Sequence, residues 1–205
     1  MSFVCEHCQR EFTPPPATLA KYPGWAPKRC PKCFKGAAKP RTREENLTTA
    51  QVLEKYSAGP VEGVFTDGAA EPNPGPGGWG AVYVVGGEVV AERSGHEPHT
   101  TNNRMELSAL IAGCRMVPRD HQAIIYSDSD LCVKSITIWA KDWKARGWKK
   151  KDSKAGPIKN LELVQELYDL YHGHPGLTMK WIKAHSGNRW NEYADALATA
   201  YRRKA

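Results

Sequence analysis

From residue 61 onward the apolar residues change period in an order that few folds satisfy. The stretches "VEGVFT", "GWGAVYVVGG" and "EVVAERSG" alternate or run apolar over strand-like lengths, and the last two meet at Gly86-Gly87, a pair suited to a tight hairpin turn. "TNNRMELSALIAGCRMV" then switches to helical spacing, with Leu107, Leu110, Ile111, Cys114 and Val117 on one face. A short strand "AIIYSD" follows, then a helix starting near Ser129, a helix over about 158–171, a strand "LTMKWIKAH" and a closing helix "NRWNEYADALATAYRR". Three strands, a helix and then alternating strand and helix require an α/β fold, a mixed sheet with helices on both faces.

In an open sheet of this kind, sites gather at the carboxyl ends of strands. Asp67 is expected to end the first strand and Asp128 ends "AIIYSD". Glu106 lies early in the first helix, Asp195 lies in the first turns of the last one, and His185 sits in the loop "AHSGNRW" before it. Each also has a local explanation. Asp67-Gly68 fits a turn, Asp128 or Ser129 fits a helix cap, and Asn103-x-x-Glu106 fits a capping box. Asp195 and His185 fit a solvated surface. Spacing alone therefore gives a candidate carboxylate cluster, of the kind that binds hard cations.

Charge is unevenly spread along the 205 residues. The net charge is +7, yet residues 1–60 carry +5 and residues 141–159 carry +6, leaving the remainder acidic. The second basic region contains "IWAKDWKARGWKKK". A spacing of four puts Trp139 and Trp143 on one helical face, where they and Trp148 are read as a small aromatic core that stiffens an arm. Lys141, Lys144, Arg146, Lys149, Lys150 and Lys151 would face outward, and such patches suit polyanions. No apolar run approaches the roughly 20 residues that span a bilayer, and "MSFVCEHCQR" lacks the basic start and apolar centre of a secretory signal. A soluble, cytoplasmic monomer with no membrane partner is the expectation.

Four of the six cysteines form two CxxC pairs, Cys5/Cys8 and Cys30/Cys33. In an intracellular chain such pairs favour a metal over disulfides. Four thiolates make a closed, structural Zn²⁺ site, and in a module of fewer than about 40 residues the metal supplies most of the folding energy. The expected organisation is a zinc-ribbon-like module over 1–36, a polar linker over 37–60 with one short helix, and the main domain over 61–205. The basic head is expected to bind nucleic acid, with protein docking as the alternative. Cys114 and Cys132 stand among apolar neighbours and are read as small core residues.

"FTDGAAEPNPGPGGWG", "TTNNRMEL", "YSDSD" and "KAHSGNRWNEYADALA", in that order, strongly resemble ribonuclease H of the small cellular type over residues 61–203. The resemblance implies a ribonuclease H-like five-stranded mixed sheet flanked by helices. It also implies endonucleolytic cleavage of the RNA strand of RNA–DNA hybrids, leaving 5′-phosphate and 3′-hydroxyl ends. Asp67, Glu106, Asp128 and Asp195 match the family's four carboxylates, which hold two Mg²⁺ or Mn²⁺ ions roughly 4 Å apart. His185 matches its mobile histidine, which moves protons or helps the product leave. Asn73, Asn102 and Asn103 match positions that meet the minor groove and the 2′-hydroxyls, a role suited to amides because they both donate and accept. The Gly/Pro-rich stretch 72–78 would let backbone approach the strand. Thr101, Arg104 and Asn160 match positions near the DNA-strand phosphate, and Lys144, Arg146, Lys149 and Lys150 belong to the family's basic protrusion. One departure is Asp130, where the family often has glutamine. A hybrid-binding protein without catalysis is the first alternative, but all five catalytic positions are filled. A DNA-junction or DNA-integrating nuclease of the same fold is the second, and the paired asparagines and protrusion speak against it.

Overall fold

The computed structural model describes residues 2–21, 23–34 and 46–203, in two compact units divided at residues 45 and 46. In the smaller unit, β1 (Phe3–Val4) pairs antiparallel with β2 (Glu11–Phe12). Cys5 and Cys8 lie in the turn between them, which is closed by Cys5 N donating to the Arg10 carbonyl at 3.0 Å and Gln9 N to the Cys5 carbonyl at 2.9 Å. Two short helices follow, α1 (Pro16–Lys21) and α2 (Pro31–Phe34). Cys30 precedes α2 and Cys33 lies within it.

The expected linker needs correction. Residues 37–45 lie outside the described residues, but 46–60 belong to the larger unit. Here α3 (Thr49–Lys55) starts at a complete capping box. Gln51 N donates to Thr48 Oγ1, and Thr48 N donates to Gln51 Oε1 at 2.9 Å. Leu47, Leu53 and Tyr56 pack with Val52, which is 1% exposed. Burying Val52 alone contributes on the order of 1.5–3 kcal/mol. Polar composition hid this short apolar face.

The large sheet has the order β5-β4-β3-β6-β7. β3 (Gly63–Ala70), β4 (Gly75–Val85) and β5 (Glu88–Thr100) form an antiparallel meander, while β6 (Ala123–Ser127) and β7 (Leu177–Trp181) add in parallel beyond β3. Alternation along the strands splits the core in two. Val64, Tyr83 and Ile125 point to the face covered by α4 (Asn102–Met116) and α7 (Leu161–His172). Phe65, Val82 and Val84 point to the face covered by α8 (Arg189–Ala198) and α3. Cys114 and Cys132 are buried in the first core, as expected, and burial pushes both thiols up to about 12.

The helix after β6 is not continuous. It runs as α5 (Asp130–Lys134), a π turn (Ser135–Trp139) and α6 (Ala140–Ala145), and Ala140 N donates to the Ser135 carbonyl five residues back. Trp139 and Trp143 still meet, with ring centroids 6.0 Å apart. They do not build the separate aromatic core expected for the arm, however. Trp143 and Trp148 pack on the main core, with Trp148 edge-on to Tyr168, while Trp139 is 37% exposed. Lys144 docks the arm on α7. Its Nζ lies 2.9 Å from Asp169 Oδ1 and sits over the Tyr168 ring.

Candidate active site

Asp67 does not end its strand. β3 continues to Ala70 because β4 pairs with it throughout, up to Ala70↔Gly77. Its parallel pairing with β6, by contrast, stops at Thr66↔Ser127. Asp67 is thus the first residue of β3 beyond its parallel pairing with β6, and side chains from three other elements face it. Asp128 leaves the end of β6. Glu106 comes from α4, which touches β3 where Gly68 has no side chain. Asp195 comes from α8, which crosses β4 over Gly78 and Gly80. A Cβ on Gly80 would meet Ala194 O and Leu197 Cβ at 2.5 Å. Gly78 and Gly80 therefore serve helix packing, whereas Gly75 and Gly77 pack against Pro72 and against Thr100 and Ala69.

α4 begins two residues earlier than the capping box read in the sequence implies. Thr101 is its cap, with Oγ1 accepting from Arg104 N, so Asn103 does not cap and Glu106 is not engaged as a capping partner. Asn102 instead ties the start of α4 to the end of β3 and to the loop that follows it. Its Oδ1 accepts from Ala70 N at 2.6 Å, and its N donates to Asn73 Oδ1 at 3.3 Å.

Asp67, Glu106 and Asp128 each offer an oxygen within 4.8 Å of the others. Asp67 is 7% exposed and accepts from Gly68 N at 2.7 Å, while Glu106 Oε2 is buried with no partner. An orphaned carboxylate oxygen beside two other carboxylates is the donor set of a hard cation. Electrostatics agree. Burial first, then the charges of Asp128, Glu106 and Asp195, holds Asp67 well above the usual carboxylate range. Burial and the charges of Asp128 and Asp195 do the same to Glu106. Asp128 is raised by burial, and the Asn191 side chain and His185 partly offset the rise.

Sequence reasoning missed Asn191 and Glu192. Asn191 lies four residues before Asp195, hence on the same face of α8, and reaches the Asp128 carboxylate while its own Oδ1 is buried without a partner. Glu192, also buried, accepts from Gly187 N in the histidine loop at 3.3 Å. The i, i+4 relation to Asp195 was the available signal. His185 is exposed, with φ of +47°.

The chain matches the RNase H family over residues 60–203. It belongs to the ribonuclease H family. Curated relatives include Ribonuclease H of Cupriavidus necator, 47% identical over 66% of this chain and 90% of that protein. Another is Ribonuclease H of Bordetella pertussis, 44% identical over 72% of this chain and 93% of that protein. Among solved structures, LC9-RNase H1, described as a type 1 RNase H with the type 2 active-site motif, is 32% identical, with a TM-score of 0.54 over 70% of this chain and 74% of that one. RNase H1 of Halobacterium salinarum is 27% identical, with a TM-score of 0.51 over 69% and 97%. The chain is an enzyme of this family, and the non-catalytic alternative falls away.

The remaining positions implied by the family resemblance lie at the start of α4, just before α7 and on the arm. Arg104 Nη1 bonds Glu162 Oε1 at 2.5 Å and approaches Asn160 Oδ1 at 3.5 Å, with Asn160 in the left-handed region at φ of +54°. On the arm, Lys144 is paired with Asp169 and Arg146 with Asp142, and Lys150 donates to the Ala155 carbonyl. Lys141, Lys149 and Lys151 are exposed. Asp130 is exposed too and pairs with Lys134 at 2.7 Å, one turn along α5. Among the described residues, no helix is long and apolar enough to cross a membrane.

In the smaller unit, Cys5, Cys8, Cys30 and Cys33 bring their sulfurs within 4.8 Å of one another, and none is in a disulfide. Backbone N–H groups, that of Cys30 first, lower the Cys5 thiol to about 6. Hydrogen bonds shared with the Cys8 and Cys30 thiols push Cys33 up to about 12. Four thiols this close compete for protons and donors, a conflict that binding of a soft or borderline cation resolves.

Proposed function

We propose that this enzyme hydrolyses the RNA strand of RNA–DNA hybrids at the cluster of Asp67, Glu106, Asp128 and Asp195, leaving 5′-phosphate and 3′-hydroxyl ends. The observation that carries the reading is the unpartnered, buried Oε2 of Glu106 beside Asp67 and Asp128. Asp67, Glu106, Asp128 and Asp195 would hold two Mg²⁺ ions. Bound there, the ions supply a hydroxide nucleophile near neutral pH and stabilise the leaving oxygen. Asn191 holds the Asp128 carboxylate in place, and His185, exposed on its loop, moves a proton at the leaving group or product. Asn73, Asn102 and Asn103 stand at the end of β3 and the start of α4, where amides can meet a 2′-hydroxyl. Lys141, Lys149 and Lys151 present charge to the DNA strand.

The cysteine cluster fits one structural Zn²⁺. Zinc bound to four sulfurs at about 2.3 Å has sulfur–sulfur edges of about 3.8 Å, and Cys8 and Cys30 Sγ are 3.8 Å apart. The test of the enzymatic reading is Mg²⁺-dependent cleavage of labelled RNA–DNA hybrid, duplex DNA and duplex RNA. Cleavage of the hybrid RNA strand alone is expected. Cutting of duplex DNA, or no cutting of the hybrid, refutes it.

A further inference from the structure

The match to the ribonuclease H family starts at residue 60, yet the chain before it is built into the domain. Three anchors hold it. At its start, Arg203 Nη1 donates to Asn46 Oδ1 and to the Leu47 carbonyl, both at 2.7 Å. In the middle, Val52 is buried against α8, and Arg189 Nη2 donates to the Leu53 carbonyl at 2.9 Å. At its end, Ala58 forms a parallel bridge with Asn188, and Arg189 N donates to the Ala58 carbonyl at 2.8 Å.

The third anchor falls where the His185 loop enters α8. That loop leaves the sheet at Ile182, whose N donates to the Ser127 carbonyl at 2.9 Å, next to Asp128. Within the loop, Ser186 Oγ donates to the Lys183 carbonyl and Asn188 Nδ2 donates to Ser186 Oγ. Asn188 is then pinned from outside by Ala58. Gly59 packs so tightly on it that an added Cβ would stand 3.2 Å from Asn188 Cβ and closer to its Oδ1. Tyr56 stands against Gly187, 3.9 Å from where a Cβ on that glycine would lie. A helix as short as α3 is marginal alone, so its order comes from this docking.

We infer that residues 46–59 are a brace for the reaction: an element added to the ribonuclease H domain that sets the position and stiffness of the His185 loop. The inference rests on the reading of His185 as the proton-moving residue. The brace touches no substrate and acts by positioning. A loop displaced by about 1 Å can cost up to about a hundredfold in rate.

The test uses the full chain. Val52→Asp places an unpaired charge under α3 and undocks it. Arg189→Met removes the Leu53 clamp while keeping the Arg189 backbone bond, and serves if the first variant folds poorly. For either, the expected result is a fall in kcat of about tenfold with KM for the hybrid within about twofold, and faster amide exchange at residues 183–189. Combined with His185→Ala, neither should lower kcat further. Additive losses in that background, or unchanged exchange in the loop, overturn the inference. If His185→Ala alone leaves kcat intact, the reading of His185 falls, and the brace stands or falls on loop exchange.

Discussion

Gly68→Ala tests how the acids are brought together. A Cβ at this position would lie 2.7 Å from Glu106 Cα and closer still to Glu106 N and the Met105 carbonyl carbon. Carbon atoms pack at about 3.5–4.0 Å, so α4 must recede by about 1 Å. The helix has little room to do so, because Leu107, Leu110, Ile111 and Cys114 are locked in the core shared with α7. Overpacking of this kind costs about 1–3 kcal/mol. In a domain of this size each kcal/mol lowers the melting temperature by about 2–4 °C. The larger effect is on activity, since Glu106 moves by the same distance from Asp67 and Asp128. A fall in kcat on the order of a hundredfold is expected in a protein that remains folded. Cleavage kinetics and a thermal melt of the same sample measure both. Gly86→Ala is the control. It has φ of +59° and nothing within 4 Å of an added Cβ, so it should cost about 1–2 kcal/mol of backbone strain and leave kcat unchanged. A Gly68→Ala enzyme with native kcat and native melting temperature would refute the idea that the packing of α4 on β3 sets the site.

Asp67→Asn should abolish cleavage yet raise the melting temperature of the cation-free protein near pH 8. The native carboxyl is held above its ordinary value by burial and its acidic neighbours. Its contribution to stability is therefore fully present below the unfolded value of about 3.9 and is lost as pH rises through the raised native one. A lower melting temperature at that pH would contradict this. Lys141, Lys149 and Lys151 changed together to Ala should flatten the dependence of log Kd on log salt by up to about 0.9 for each phosphate left without its cation, with kcat at saturating hybrid retained. Lys144→Ala should instead lower stability, because its ammonium is already spent on Asp169 and Tyr168; a change in salt slope without a change in melting would reverse that assignment. Cys30→Ser, or a strong chelator, should release one zinc per chain and collapse the amide spectrum of the N-terminal module while the catalytic domain stays folded; a module that keeps its spectrum without metal would exclude a zinc-dependent fold.

The acids were legible because each sits in a local pattern that also dictates its element. Asp128 follows a buried strand and His185 precedes an amphipathic helix. What was not legible depended on partners far along the chain. The Asp67-Gly68 pair reads as the end of a strand, but β4 keeps β3 extended for three more residues. Thr101 rather than Asn103 caps α4, a choice between nearby polar residues that local sequence does not decide. Residues 46–60 read as linker because their few apolar side chains acquire meaning only against α8. Asn191 and the paired cation Lys144 were invisible for the same reason, since their partners Asp128 and Asp169 come from other elements of the fold.

The π turn at Ser135–Trp139 makes the aim of the basic arm a matter of counting. Each residue of an α-helix advances the side-chain direction by about 100°. Closing the turn to the ordinary helical bond pattern with every residue kept would swing everything downstream by about that angle, carrying the tryptophans off the core and the lysines to another side of the molecule, whereas deleting one residue there should restore the ordinary pattern and leave α6 heading the same way. The wide turn thus absorbs a single surplus residue, and the arm proposed to hold the DNA strand keeps its heading relative to the carboxylate cluster because of it.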